Sequence, residues 1–160
     1  MRARLSPIQA EALEHVKRAS GEQEASQVAI GQILARAGLD AAIFAEALRH
    51  IEADAQVLLH FHPDRLNSSG ESVAEALLNE GLYRNQFETG LSNGGLTAFR
   101  GGERDKWEKR LFGGAYQKEN VEPAERPKYG ALDLMSYSDG AAPRFGCCYF
   151  RLSQALSKRC

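Results

Sequence analysis

Cysteine is scarce in this 160-residue chain, and its distribution argues against a disulfide scaffold. The three cysteines are Cys147, Cys148 and Cys160. Adjacent cysteines rarely bridge each other and the count is odd, so we expect reduced thiols, as in a cytoplasmic protein. Because no second cysteine pair lies at ligand spacing, the thiols do not predict a zinc site.

The sequence also lacks an excess of charge and long apolar runs. The formal net charge is −1, which provides no basic field for a nucleic-acid partner. No apolar run is long enough to span a membrane, and the stretch MRARLSPIQAEALEHVKRAS carries charges where a signal peptide would be apolar. We therefore expect a cytoplasmic protein with neither a membrane nor a nucleic-acid partner.

The remaining composition is that of a folded globular protein. Hydrophobic residues make up 43% of the chain and charged residues 26%. The length suits one domain, or one domain with a helical appendage, and is enough to bury a core without cross-links.

Residues 1–56 have the pattern of a helical region. Ser6, followed by proline, is a typical helix start, and Gly21 is a typical end. An apolar stripe predicts a second helix over 22–37, and Asp40 is placed to cap a third. We expect these helices to form an N-terminal layer.

Residues 57–160 predict an α+β domain. The apolar run VLLHF predicts a buried strand that ends at Pro63, and Ser72 predicts the cap of a helix through VAEALLNEG. RDKWEKRLF predicts a short helix, and RPKYGALDLM and RFGCCYFRL predict two late strands. Eight of the 15 glycines lie between Gly81 and Gly114, which predicts tight turns or a ligand cradle.

Helices and strands do not alternate regularly along the chain. We therefore predict an α+β fold, with an N-terminal helical layer followed by a small mixed or antiparallel sheet with helices and glycine-rich loops.

The HFHPDR motif is the first candidate for chemistry. His60 and His62 are two residues apart near a strand end, so their side chains share a face, and Asp64 adds an oxygen ligand. Such a set can hold the metal of a hydrolase. In the alternative interpretation, one histidine packs in the core and hydrogen-bonds a carbonyl. HPD also occurs in J-domain co-chaperones, but the preceding segment lacks their basic face.

The segment YRNQFETGLSNGG is the second candidate. On a strand, Arg84, Gln86 and Glu88 share one face while Phe87 packs inward. A face of this composition is either exposed to solvent or the wall of a polar pocket. Trp107 is the only tryptophan, and we expect it to anchor a helix in the core.

The order of these elements resembles the opening of ADP-ribosyltransferase domains, on a histidine-ended strand, the helix VAEALLNEGL, and a glycine-rich segment with Thr and Ser. The resemblance implies that His60 or His62 holds the ribose of NAD, and that one of the available acids, such as Glu88, stabilises an oxocarbenium-like transition state. It implies that Thr89 and Ser92 hold the nicotinamide edge. The remaining candidates are two stacking rings and two further acids, namely Tyr83, Phe87, Glu103 and Glu108.

The segments HFHPDR, YRNQFETGLSNGGLTAFRGGERDKWEKRLFGGAY, RPKYGAL and RFGCCYF resemble a bacterial domain-of-unknown-function family, from about Val57 to Leu152. The resemblance implies a site and no established activity. The site positions it implies are His60, His62, Asp64, Arg65, Arg84, Gln86, Glu88, Thr89, Ser92, Asn93, Arg104, Trp107, Glu108, Tyr129 and Arg144.

This chain departs from the family pattern in two ways. Cys147 and Cys148 stand where a small residue followed by cysteine is expected. Family members continue beyond YFRL, whereas this chain ends at Cys160, which implies a C-terminal truncation.

Together these features predict a helical region over 1–56, an α+β domain over 57–160, and one polar cleft around HFHPDR and NQFETGLSNGG. The expected catalytic residues are His60, His62 and Glu88. The expected ligand-binding residues are Arg65, Arg84, Gln86, Thr89, Ser92, Asn93 and Arg104. The cations indicate a small phosphate-bearing ligand, because guanidinium groups bind oxyanions through paired hydrogen bonds.

The leading hypothesis for function is an NAD-dependent ADP-ribosyltransferase-like enzyme without a metal. One alternative is a metal-dependent hydrolase that uses His60 and His62, with Asp64. Another is a non-catalytic interaction module or a degenerate relative of an enzyme.

Overall fold

The structure, a computed structural model, describes residues 5–21, 24–92 and 95–158. The helices are α1 (Pro7–Gly21), α2 (Glu24–Arg36), α3 (Ala41–Asp54), α4 (Val73–Glu80), α5 (Gln86–Thr89), α6 (Glu103–Leu111) and α7 (Gln154–Ser157). The strands are β1 (Gln56–Phe61), β2 (Leu91–Ser92), β3 (Gly95–Leu96), β4 (Ala131–Asp133) and β5 (Cys148–Arg151). Short 3-10 turns occupy Ala115–Gln117, Pro123–Glu125 and Pro143–Phe145. The predicted α+β class is confirmed.

Local capping explains where several helices begin and end. The Ser6 hydroxyl accepts a hydrogen bond from the amide of Gln9 at the start of α1, and Asp40 accepts one from Ala42 at the start of α3. Ser72 caps α4 through a reciprocal pair with Glu75, and the left-handed Gly81 ends that helix. These caps confirm the predicted starts.

The N-terminal helices differ in how they contact the rest of the chain. In α1, Ala12 packs in a buried cluster with Ala115 and Tyr116, and Gln9 donates a hydrogen bond to the carbonyl of Glu125. In α3, no described side chain is buried. No single helix among residues 5–21, 24–92 and 95–158 is long and apolar enough to cross a membrane. By length and composition alone, Val28–Arg36 with Ala41–Asp54, bent by 115°, passes that test as a pair.

The main sheet is antiparallel, with the strand order β4–β1–β5. The central strand β1 is buried from Val57 to His60, as its apolar sequence predicts. Leu58 pairs with Ala131 on β4, and His60 pairs with Tyr149 on β5. Strands β2 and β3 form a separate antiparallel pair. The end of β1, where HFHPDR begins, is therefore paired with β5, while β4 pairs with the first half of β1.

One element was predicted wrongly. The segment around Glu88 forms the short helix α5, and the strand face of Arg84, Gln86 and Glu88 does not exist. Asn85 is the cause, because its side chain accepts hydrogen bonds from the amides of Phe87 and Glu88 while Glu88 bonds back to the Asn85 amide. This reciprocal cap is readable in the sequence as Asn-x-x-Glu.

Gly146 lets the loop before β5 approach the end of β1. Its φ is +150°, and a Cβ at this position would collide with the backbone of Phe61. We expect Gly146→Ala to lower the free energy of unfolding by about 2–4 kcal/mol, because backbone strain and a backbone clash act together. Urea denaturation measures this change.

Gly70→Ala is the matched control, because Gly70 has φ +82° and nothing lies within 4 Å of an added Cβ. Alanine there strains the backbone without a steric clash, so we expect the free energy of unfolding to fall by about 1 kcal/mol. Equal losses in the two variants would show that the close approach to Phe61 contributes nothing.

Candidate functional site

A cavity of about 390 Å³ lies where β1, α4, α5 and α6 meet the segment that enters β4. The aliphatic part of its lining comes from β1 and α4, with Leu58, Val73 and Leu77. Aromatic rings contribute another part, namely Phe61, Tyr83, Trp107, Tyr129 and Phe145. The volume lies in the range of small-molecule sites.

The cavity brings together most of the residues that the sequence singled out. The predicted site residues that line it are His60, His62, Arg65, Arg84, Gln86, Thr89 and Arg104. Of the other positions implied by the family resemblance, Trp107 and Tyr129 line it as well. Asp64, Glu88, Ser92, Glu108 and Arg144 are not among the lining residues. Asn93 lies outside the described residues.

His60 is held by the backbone on both ring nitrogens. Its Nδ1 lies 3.0 Å from the carbonyl oxygen of Gly146, and its Nε2 lies 3.1 Å from the amide nitrogen of Ala142. The carbonyl requires a proton on Nδ1 and the amide requires a bare Nε2, so the partners define one neutral tautomer. His60 is 9% exposed and supports the wall of the cavity. Binding a ligand at either nitrogen would require breaking one of these bonds.

The side chains predicted as metal ligands are not arranged around one metal position. His60 uses both ring nitrogens on backbone groups, and Asp64 is exposed and outside the cavity lining. In the part of the chain that the structure describes, no group of three or more His, Cys, Asp or Glu side chains is arranged to hold a metal ion. His62 lines the cavity, and its role stays a prediction.

Glu88 has a structural task that the sequence interpretation missed. Its Oε2 accepts a hydrogen bond of 2.8 Å from the amide of Asn85, and its Oε1 lies 3.5 Å from Nη1 of Arg84. The carboxylate therefore caps α5 and is turned away from the cavity lining. This geometry does not support Glu88 as the acid at a reacting carbon.

Arg84 lines the cavity but is already paired. Its Nε and Nη2 donate to the two carboxylate oxygens of Glu80 at 2.6 and 2.8 Å, which is a two-point ion pair. The hydrogen bonds from Arg84 lower the pKa of Glu80, and those to Glu80 raise the pKa of Arg84. The charge that Arg84 offers to a ligand is therefore largely neutralised.

The small polar side chains near α5 hydrogen-bond mainly to their neighbours. The Thr89 hydroxyl donates to the carbonyl of Asn85 and accepts from the amide of Leu91. The buried Ser92 hydroxyl lies 3.4 Å from Oε1 of Gln86. These bonds fix the turn between α5 and β2.

The cavity carries positive charge without a matching acid. The cations that line it are Arg65, Arg84, Arg104 and Lys128, and no Asp or Glu occurs among its described lining residues. The side chains of Arg65, Arg104 and Lys128 make no hydrogen bond or ion pair with any residue that the structure describes. Lys128 was missed from the sequence, although it stands in the RPKYGAL segment. This arrangement favours an anionic ligand.

A buried ionic cluster lies behind the wall formed by α6. Nη1 of Arg126 lies 2.7 Å from Oδ1 of Asp105 and 3.0 Å from Oε2 of Glu108, and all three side chains are at most 6% exposed. Nη2 of Arg126 donates to the carbonyl of Tyr116, and the guanidinium carbon lies 3.7 Å from the ring centroid of Phe87. The cluster therefore ties α5, α6 and the turn after α6 together.

Tyr129 connects the buried cluster to the cavity. Its hydroxyl donates a hydrogen bond of 2.8 Å to Oε1 of Glu108, while its ring lines the cavity. Burial raises the pKa of Glu108, and the opposing effects of Tyr129 and Arg126 do not cancel it. Burial and the neighbouring Glu108 raise the pKa of Tyr129. The tyrosine hydroxyl is therefore held protonated against a buried carboxyl group.

Arg126 should be indispensable to stability. Arg126→Met leaves Asp105 and Glu108 without their shared cation, so we expect the free energy of unfolding to fall by about 3–5 kcal/mol. Arg110→Met on the exposed end of α6 is the matched control, and we expect a change within about 0.5 kcal/mol. Urea denaturation compares the two, and similar small losses in both variants would contradict this role for Arg126.

The free energy of unfolding should depend on the ionisation of Asp105 at acidic pH. Burial opposes its ionisation, but hydrogen bonds from Gln117 and Gly101 and the pair with Arg126 together lower its pKa. Its ionised form therefore stabilises the fold above the usual aspartate pKa near 3.9, and this stabilisation is lost as pH falls through the lowered value.

The measurement is the free energy of unfolding against pH for the wild type and Asp105→Asn. We expect the difference between them to be constant above about pH 5 and to shrink below about pH 4. Asp64→Asn makes the same substitution at an exposed site and serves as the control. A difference that grows on acidification would show that the pKa of Asp105 is not lowered.

A family of proteins matches most of the chain. The family described as "Protein of unknown function (DUF3626)" matches residues 56–160, from the first residue of β1 onward. All residues that line the cavity fall within the matched range. No curated protein and no solved structure matches the chain.

Proposed function

We propose that the cavity of this chain, which belongs to the family described as Protein of unknown function (DUF3626), binds a phosphate-bearing nucleotide, with NAD as the first candidate. The observation that supports the proposal most strongly is the charge of the lining. Four cationic side chains line the space, of which Arg84 is paired with Glu80, and no carboxylate occurs among the described lining residues. Phosphate groups satisfy such a surface through charge-assisted hydrogen bonds.

The aromatic part of the lining supports a ligand that also carries a planar ring. Tyr83, Trp107 and Tyr129 line the same cavity as the cations. Tyr83 is fixed in place, because its hydroxyl donates a hydrogen bond to the carbonyl of His60. Bases and nicotinamide rings stack on such side chains, whereas an inorganic anion alone gains nothing from them.

Transfer of ADP-ribose from NAD is the more specific proposal. The bond from the ribose to nicotinamide breaks and nicotinamide leaves as a neutral molecule with the electron pair of that bond. An acceptor nucleophile forms a new bond to the same ribose carbon and releases its proton to water. Glu108 does not line the cavity, and we propose that it acts by accepting the hydrogen bond of the Tyr129 hydroxyl, whose ring does line it. With that proton held by Glu108, the lone pairs of the Tyr129 oxygen would stabilise a cationic sugar.

Ligand-induced stabilisation tests the binding proposal. We expect NAD and ADP to raise the melting temperature of the protein in a saturable way, because a ligand at about 100 times its Kd contributes about 2.7 kcal/mol. Adenosine, which lacks phosphate, should have a much smaller effect. Equal stabilisation by adenosine and ADP would contradict recognition of phosphate.

A cavity-filling variant locates the binding event. Ala76→Phe introduces a ring into the cavity from α4, and we expect it to remove the response to ADP. Leu78→Phe on the same helix is the control, because Leu78 is 86% exposed and outside the lining, and its response should stay intact. Release of nicotinamide from NAD, followed by chromatography, separates the transferase from a module that binds without turnover.

A further inference from the structure

We infer that Arg104 is the residue that anchors the anionic group of the ligand, and that this group is a phosphate or diphosphate lying against Trp107 and Tyr129. The inference rests on the proposed function and assigns a specific part of the cavity to the phosphate. The sequence pattern had predicted both Arg104 and Arg84 as ligand-binding residues, whereas this inference gives the anchoring role to Arg104.

The position of Arg104 is set by two aromatic rings. Its guanidinium carbon lies 5.0 Å from the ring centroid of Trp107 and 4.7 Å from that of Tyr129. Cation–π attraction to both rings restricts the orientation of the guanidinium group. An arginine restricted in this way loses less conformational entropy when it binds a ligand than a freely mobile one does.

Arg104 has unused hydrogen-bonding capacity. Its Nε is buried and has no hydrogen-bond partner, and the guanidinium group forms no ion pair with any described residue. A buried donor without a partner is unfavourable, since it has lost water and gained nothing in return. An oxyanion that reaches this group would satisfy the donor and the charge at the same time.

Arg104 forms no direct ion pair with any described residue, although its charge and that of Glu108 still interact at longer range. Glu108 stands four residues after Arg104, which is the usual spacing for an ion pair on a helix. Both of its oxygens are occupied, one by the hydroxyl of Tyr129 and the other by Arg126. Asp105 is likewise held by Arg126, Gln117 and the amide of Gly101.

The other cations of the cavity suit a supporting role. Arg84 is paired with Glu80 at two points, so an anion would have to compete for it. Arg65 and Lys128 line the cavity from exposed positions, where charge is screened by water and salt. The structure therefore leaves Arg104 as the cation that combines partial burial, a fixed orientation and a vacant donor.

Trp107 provides a direct reporter of this site. It is the only tryptophan in the chain, it lines the cavity, and it contacts Arg104. We expect inorganic pyrophosphate and ADP to change its fluorescence in a saturable way, and adenosine to change it little. Isothermal titration calorimetry then gives the dissociation constants independently of any change that a substitution itself makes to the fluorescence.

Arg104→Lys is the central variant, because it keeps the charge but removes the fork of parallel donors. We expect it to raise the Kd for pyrophosphate and for ADP at least tenfold. Arg84→Lys tests the alternative anchor, and Arg110→Lys makes the same change on α6 outside the cavity lining. We expect Arg84→Lys to raise the Kd by less than Arg104→Lys does, and Arg110→Lys to change it by less than about threefold. Circular dichroism verifies that each variant is folded.

The outcomes separate this inference from the proposed function. If the wild type binds ADP and Arg104→Lys binds it equally well, or if Arg84→Lys shows the large loss instead, Arg104 is not the anchor. If the wild type binds pyrophosphate through Arg104 but gains nothing from the nucleoside, the anchor stands and nucleotide recognition is wrong. If the folded wild type binds neither pyrophosphate nor ADP, both are wrong.

Discussion

The rest of the site depends on one buried interaction, the pairing of Arg126 with Asp105 and Glu108. Two carboxylates buried on one helix would repel each other and lose their hydration, and the guanidinium group compensates for both. The same group bonds to the carbonyl of Tyr116 and contacts the ring of Phe87. One side chain thus fixes α6 against the turn that follows it and against α5.

This pairing also determines the charge of the cavity. Helix α6 has acids and bases in close succession, and an isolated helix of this sequence would pair many of them along its surface. In the folded chain, Asp105 and Glu108 face inward to Arg126, while Arg104 and Trp107 line the cavity. The cavity therefore keeps its positive charge because its neighbouring acids are occupied elsewhere. Tyr129 contacts both groups, because its hydroxyl bonds to the buried Glu108 and its ring contacts Arg104.

Much of the fold was readable from local patterns. The caps at Ser6, Asp40 and Ser72 and the buried run of β1 act within a few residues, so the sequence displays them directly. The helix α5 was missed, although its Asn-x-x-Glu cap is equally local, because alternating polar residues were interpreted as a strand. In the folded chain the Glu88 carboxylate caps the start of that helix and lies outside the cavity lining.

The site was harder to predict, because it depends on pairs of residues that are distant in sequence. The gathering of HFHPDR with Arg84, Gln86 and Arg104 was anticipated, and the local i,i+4 pair of Glu80 with Arg84 was overlooked. Nothing local shows that Glu108 pairs with Arg126 and leaves Arg104 without a direct ion pair. Trp107 was expected in the core, yet it is 40% exposed and lines the cavity. The partners of Arg126 lie on a helix about 20 residues earlier in the chain, so no local pattern displays that pairing either.

The most direct measurement of the central claim is the nuclear magnetic resonance of the arginine Nε–H groups during titration with ADP. The signal of Arg104, assigned by its loss in Arg104→Lys, should shift progressively and saturate, because its vacant donor gains an oxyanion partner. The signal of Arg126 should stay in place, since its partners are the buried carboxylates. A fixed Arg104 signal together with a moving Arg84 or Arg126 signal would contradict the account.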